Sequence, residues 1–172
     1  MTAPLAAIVY SSGFPIDELM AEVADSLKRE AVRLGGVVQH NKGDCPDGCA
    51  SMALEDLASG RLFPISEDRG AGSAGCRLDP AGLAAAGAAV AQALTGSIDL
   101  VIVNKFGKQE ALGHGLRAEI AASVLAGLPL LTAVRADMLV AWSHFAGEDW
   151  QRLPPEAVAV TDWAMAALRL PA

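Results

Sequence analysis

The 172 residues, 52% hydrophobic and 19% charged, have a globular balance and the length of one domain able to bury roughly 70% of its unfolded surface. A net charge of −7 and a pI near 4.8 exclude a general nucleic-acid binder, which needs an excess of cations to meet phosphates. Mean hydropathy is positive at +0.34, yet no apolar run approaches the roughly 18 residues of a membrane helix.

Met1–Val9 has no basic residue ahead of its apolar stretch and no core of signal length, so the expected location is the cytoplasm. Leu5–Tyr10 is a short apolar strand and Ser11-Ser12-Gly13-Phe14-Pro15 a turn. Ile16, Leu19, Met20, Val23, Leu27, Ala31 and Leu34 recur at helical spacing. That spacing predicts a helix from Ile16 to Leu34, with Asp17 and Glu18 in its first turn and Gly35-Gly36 as its stop. Val37–His40 is a second strand. Asn41–Ser51, with Cys45-Pro46-Asp47-Gly48-Cys49, is a loop rich in turn residues. Met52–Leu57 and Arg61–Ser66 around Ala58-Ser59-Gly60 predict a hairpin.

Glu67–Gly75 is a second glycine-rich loop. Asp79-Pro80 is an N-cap followed by proline at the first helical position, opening an alanine- and glycine-rich helix to about Leu94. Leu100–Val103 is an unbroken aliphatic run, as in a strand buried on both faces. Leu116–Ala126 is helical, Pro129–Val134 a strand and Ala136–Phe145 a helix. A strand at Ala157–Val160 and a helix at Asp162–Leu168 are expected at the end. Strands alternate with helices, which predicts an α/β fold with a mainly parallel sheet and one inserted hairpin.

Chemistry gathers just beyond Leu100–Val103. Asn104, Lys105, Lys108, Gln109, Glu110, His114 and Arg117 are interleaved with Gly107, Gly113 and Gly115. Ligands bind at the carboxyl ends of strands in open α/β sheets, and three cations there point to an anion. A polar loop with solvated lysines has the same composition. A phosphate-cradling loop at the first turn would read G-x-x-x-x-G-K-[ST]. The chain has Tyr10-Ser-Ser-Gly-Phe-Pro-Ile-Asp17 instead, with one glycine, no lysine, and an aspartate where phosphate would sit.

Ile102-Val-Asn-Lys-Phe-Gly-Lys-Gln-Glu110 resembles the segment V-I-D-E-I-G-K-M-E of small P-loop nucleoside-triphosphatases of the THEP type. Gly35–His40, the Leu54–Ile65 hairpin and the order of elements are similar to that family too. The resemblance is closer to a bacterial group, domain of unknown function family 2478. It is carried by Met52-x-Leu-x-Asp-Leu-Ala-Ser-Gly60, Gly75-Cys-Arg-Leu-Asp79, Asn104-Lys-Phe-Gly-Lys-Gln-Glu110, Gly115-Leu-Arg117 and Leu131-Thr-Ala-Val134. It covers most of the chain and implies a P-loop NTPase-like, three-layer fold, with an association to molybdenum transport. Against the triphosphatase pattern, Asn104 replaces the magnesium-supporting aspartate and Lys105 the water-activating glutamate. A charged lysine has no acceptor with which to position a water.

Cys45, Cys49, Cys76 and His40 could close a zinc site. Loop thiols without a ligand, or a reversible Cys45–Cys49 disulfide, account for the same residues; three cysteines in a reducing compartment argue against a disulfide framework. No metal or other cofactor is expected. Arg69 and Arg77 flank small residues that can form an anion-binding nest. The expectation is non-catalytic binding of a small anion: phosphate, a nucleotide's phosphates, molybdate or tungstate. Its contacts would come from Ser11, Ser12, Gly13, Arg69, Arg77, Asn104, Lys105, Lys108 and Arg117. A nucleotide-dependent enzyme with an unorthodox site, or an interaction protein with a vestigial pocket, are the alternatives. A homo-oligomer is compatible with all three; nucleic acid and membrane are not expected partners.

Overall fold

A computed structural model describes residues 3–43, 51–67 and 77–169. In chain order the elements are β1 (Leu5–Tyr10), α1 (Ile16–Arg29), β2 (Leu34–Lys42), β3 (Ser51–Asp56), β4 (Leu62–Pro64), β5 (Ser66–Glu67), β6 (Arg77–Leu78) and α2 (Pro80–Ala93). There follow β7 (Leu100–Phe106), α3 (Lys108–Ala111), α4 (Arg117–Leu125), β8 (Leu130–Arg135), α5 (Leu139–Ala146), β9 (Gln151–Leu153) and α6 (Ala157–Ala167). Seven strands form one sheet in the order β4-β3-β2-β7-β8-β1-β9. β2, β7, β8, β1 and β9 run parallel, and β3 and β4 extend the β2 edge antiparallel, as the predicted hairpin. β5 and β6 pair separately.

Alternation along the strands splits the core in two. Ile8, Val38, Leu100, Ile102 and Leu131 face α1 and α6, meeting Met20, Val23, Leu27, Val160 and Trp163. Val37, Val101, Val103, Leu130 and Val134 face the other way, onto Val90 of α2, Ile120 of α4 and Trp142 of α5. The central strands are therefore apolar on both sides, as the run Leu100–Val103 requires. Among the described residues no helix is long and apolar enough to cross a membrane.

Three boundaries differ from expectation. α1 stops at Arg29, where Ala31 turns to φ 60°, and Leu34 and the two glycines belong to β2. Leu34 kept helical spacing by coincidence, and Gly36 is needed for another reason. At φ 93° it lies against β7, and a Cβ there would collide with the Ile102 carbonyl. The strand after Val103 continues through Asn104, Lys105 and Phe106. Ala157–Val160 is the first turn of α6 rather than a strand. Its Val158 is exposed and Val160 buried, and a four-residue apolar run has no period of its own. The last strand lies before Pro154 instead, where Gln151–Leu153 pairs with the edge of β1. Asp79 caps α2 as expected, its carboxylate accepting from the Ala81 N–H at 3.0 Å.

Candidate functional site

The five parallel strands end on one edge, and there the loop after β1 meets the end of β7. Asn104 and Lys105 are consecutive, so in a regular strand their side chains would point to opposite faces. They fall in an irregularity of the β7–β8 register between Val103 and Phe106. A bulge of this kind re-aims side chains, and both residues reach Asp17 in the first turn of α1. Asn104 Nδ2 donates to Asp17 Oδ1 at 2.6 Å, and Lys105 Nζ lies 2.9 and 3.3 Å from its two oxygens. Asn41, at the end of β2, donates from Nδ2 to Asp17 Oδ2 at 2.9 Å.

The arrangement is held from behind. Asn104 is 2% exposed, and its Oδ1 accepts from the Gln39 N–H at 3.1 Å. Gln39 Nε2 in turn donates to Asn41 Oδ1 at 2.9 Å. Asp17 and Lys105 keep partial access, at 16% and 34% of their side chains.

A cleft of about 310 Å³ opens in front, lined among others by Tyr10, Ser12, Gly13, Asp17, Lys105 and Arg135. Its floor includes the N-terminus of α1. Pro15 stands at the cap position without a side-chain bond to the helix, so the first-turn amides of Asp17 and Glu18 have no intrahelical partner. Burial, and then the Asp17 carboxylate, push the Tyr10 phenol up, which keeps it an O–H donor. Arg135 is held by Asp137, with Nε and Nη2 donating at 2.6 and 2.7 Å. The hydrogen bond to Asp137 and its charge raise the guanidinium further. Both cations of the cleft thus already have carboxylate partners. An incoming anion must share or exchange one of them.

A second cavity of about 190 Å³ lies on the other side of Lys105. Leu54, Ile65, Leu78, Leu83 and Leu116 form its apolar walls, and Gln39, Asn104, Lys105, Lys108 and Gln109 its polar rim. Glu110 lines it too, buried at 8% exposure, with both carboxylate oxygens engaged by its own loop. Its Oε2 accepts from the Gly107 N–H and its Oε1 from the Leu116 N–H, both at 3.0 Å. Gly115, at φ 60°, makes room for it; a Cβ there would run into Glu110 Oε1. Glu110 thereby caps the short helix α3 that contains it.

The predicted residues are therefore partly gathered. Ser12, Gly13 and Lys105 line the cleft, and Asn104 orients Asp17 from below. Lys108 sits on the rim of the second cavity. Ser11 shapes the turn through its carbonyl, which accepts from the Phe14 N–H. Arg117 lines neither cavity. Its Nη1 donates to the Glu110 carbonyl at 3.0 Å and its guanidinium lies 4.4 Å over the Phe145 ring, at the margin of the cluster of Phe106, Trp142, Phe145 and Trp150. Arg69 lies outside the described residues, as do the side chain of Arg77 and all of Cys45, Cys49 and Cys76.

His40, weighed as a metal ligand, pairs through Nε2 with Glu55 Oε2 at 2.7 Å. Burial alone would raise the Glu55 carboxyl, but the hydrogen bonds from His40 and Lys28 outweigh it and hold it below its ordinary value. Among the described residues no three His, Cys, Asp or Glu side chains are grouped to hold a metal ion. Sequence reasoning missed Asp17 as the hub, along with Asn41, Tyr10 and Arg135. Asp17 was visible as an aspartate beside the expected phosphate position, and the other three sit at strand ends on the same edge.

The family model described as protein of unknown function (DUF2478) matches residues 5–163. The chain is 42% identical over 160 residues to the molybdenum import ATP-binding protein ModC 2 of Bradyrhizobium diazoefficiens. The match takes in 92% of this chain and 18% of that protein, so the chain spans less than a fifth of the relative's length. Among solved structures, a human cancer-related nucleoside triphosphatase aligns over 95% of this chain and 97% of its own, with a TM-score of 0.65 and 14% identity. At that identity the likeness establishes the fold, a P-loop NTPase-like α/β sheet flanked by helices.

Proposed function

The chain belongs to the family described as protein of unknown function (DUF2478), and we propose that it binds a small oxyanion, without catalysis, in the cleft between the first turn and the end of β7. The observation that carries this reading is the Asp17 hub. Lys105 and Asn104 converge on a carboxylate at an uncapped helix N-terminus, so the chain supplies its own anion where donors are gathered. An entering oxyanion would take Lys105 from Asp17 and gain the first-turn amides, a setting suited to negative charge. Molybdate and tungstate are the first candidates, on the name of the Bradyrhizobium relative; phosphate and a nucleotide's phosphates present the same chemistry.

Charge-assisted hydrogen bonds contribute about 1.5–3 kcal/mol each. The carboxylates of Asp17 and Glu18 oppose a second negative charge at this place. Dissociation constants on the order of micromolar follow, about −8 kcal/mol, rather than nanomolar. The absence of catalysis rests on chemistry: Lys105 has only donors where a water-positioning acceptor would stand, and the turn Tyr10–Asp17 contains no lysine. With ATP or GTP and magnesium, phosphate release should stay at the buffer level. Steady turnover that disappears in Lys105→Ala would instead establish the enzyme reading.

Calorimetry with molybdate, tungstate, phosphate and ATP decides on binding. Lys105→Ala should weaken the best of them at least tenfold. Lys42→Ala, at the exposed end of β2, should leave it unchanged. If none of the four binds the parent, the reading fails and the interaction protein with a vestigial pocket takes its place.

A further inference from the structure

The second cavity differs from the cleft in kind. Its walls are five aliphatic side chains from β3, the β4–β5 connection, β6, α2 and the start of α4, while cations stand on one rim. Inorganic oxyanions have no use for such walls. A cavity of roughly 150 Å³ lined by aliphatic and aromatic groups is enough for benzene, and this one measures about 190 Å³. Lys105 lines both spaces, with its ammonium on Asp17 at the cleft side, so a molecule whose charged group takes that ammonium from Asp17 can turn its remainder toward the leucines. Lys108, exposed on the same rim, forms no salt bridge among the described residues.

We propose that the ligand of this edge is an organic anion, its charged group at Lys105 and Lys108 and an apolar group of ring or short-acyl size against Leu54, Ile65, Leu78, Leu83 and Leu116. This rests on the anion reading above and adds the class of molecule. Small-molecule sites are typically apolar with a few placed polar groups, which describes this cavity better than it describes the cleft.

Phenyl phosphate compared with inorganic phosphate by calorimetry is the test. Phenyl phosphate should bind at least tenfold tighter, about 1.4 kcal/mol. Leu83→Phe, which fills the cavity from α2, should abolish that advantage while leaving inorganic phosphate unchanged. Leu83→Asn, which makes the wall polar, should reduce it with the volume kept. Thermal melts of both variants confirm that they fold. Lys108→Ala should weaken phenyl phosphate several-fold. Equal binding of the two phosphates overturns the inference and leaves the anion reading standing. Binding of phenyl phosphate alone supports the inference and overturns inorganic phosphate as a ligand of this edge. An advantage that survives both Leu83 variants overturns the placement. No binding of either phosphate by a folded parent overturns the inference, and the anion reading then stands or falls with molybdate, tungstate and ATP.

Discussion

Two carboxylates stand beyond the end of β7 and have opposite surroundings. Glu110 accepts from two backbone N–H groups of its own loop, partners that no ligand can replace without unfolding the loop. Asp17 accepts from three side chains, Lys105, Asn104 and Asn41, and borders a cleft. Burial alone does not separate them, since both are largely covered. What separates them is the kind of donor. Backbone donors make a carboxylate part of the architecture, while side-chain donors beside open space make it exchangeable. Substitution at each carboxylate can therefore tell the two kinds apart.

Glu110→Ala should cost most. It leaves the buried Leu116 amide and the part-buried Gly107 amide without acceptors, at about 1–3 kcal/mol each, so urea denaturation should show a loss of about 2–6 kcal/mol. Gly115→Ala tests the same clamp from the other side, adding an unfavourable left-handed conformation, about 1–2 kcal/mol, to the collision with Glu110. Losses below about 0.5 kcal/mol in both variants would show that the loop is not held by this carboxylate, and the contrast with Asp17 would collapse.

Asp17→Asn should do little to stability, within about 1 kcal/mol, because the amide oxygen still accepts from Asn104 and a partly exposed ion pair contributes modestly. Its effect belongs to binding. With the internal competitor neutralised, Lys105 is released to an external anion, and the best oxyanion should bind roughly tenfold tighter by calorimetry. Unchanged or weaker binding would mean that Asp17 belongs with Glu110, as a fixed part of the fold.

The same distinction explains what was legible in the sequence. The sheet could be read because Leu100–Val103 is an unbroken aliphatic run and Leu130–Val134 is broken only by Thr132, and the hairpin because Ala58-Ser59-Gly60 separates two short, loosely alternating stretches. Lys105 and Asn104 could be placed at a strand's carboxyl end. Their shared direction could not, because it depends on a register irregularity with β8 that leaves no local mark. Arg117 looked like a binding cation by composition, and its stacking on Phe145 depends on α5 coming alongside. The failure at Ala157–Val160 is of another sort: four apolar residues fit either period, and only β1's free edge decides that Gln151–Leu153 is the strand.

A third carboxylate, at the opposite end of β7, stands between the two, and its substitution should have the mildest effect. Asp99 mixes both kinds of donor: its Oδ2 accepts from the Arg33 N–H at 2.8 Å and from Arg33 Nε at 3.0 Å. The hydrogen bond from the Arg33 side chain holds its carboxyl below the ordinary value, against the opposing effect of burial. The sign comes from linkage. A depressed carboxylate stabilises the fold in full above its unfolded value, near 3.9, and that contribution is lost as pH falls through the folded value. Arg33 is raised by the same bond and stays charged throughout. Denaturation midpoints should therefore fall more steeply from about pH 5 to pH 3 in the parent than in Asp99→Asn. The pair is exposed to solvent, so the difference should be small. It should shrink further in about 1 M salt, where screening reaches about 3 Å, while the backbone bond to Arg33 N–H is left in place. Parallel pH profiles for parent and variant would show that the charge of Asp99 adds nothing to stability at this end of β7, and Asp99 would then have no place between the two.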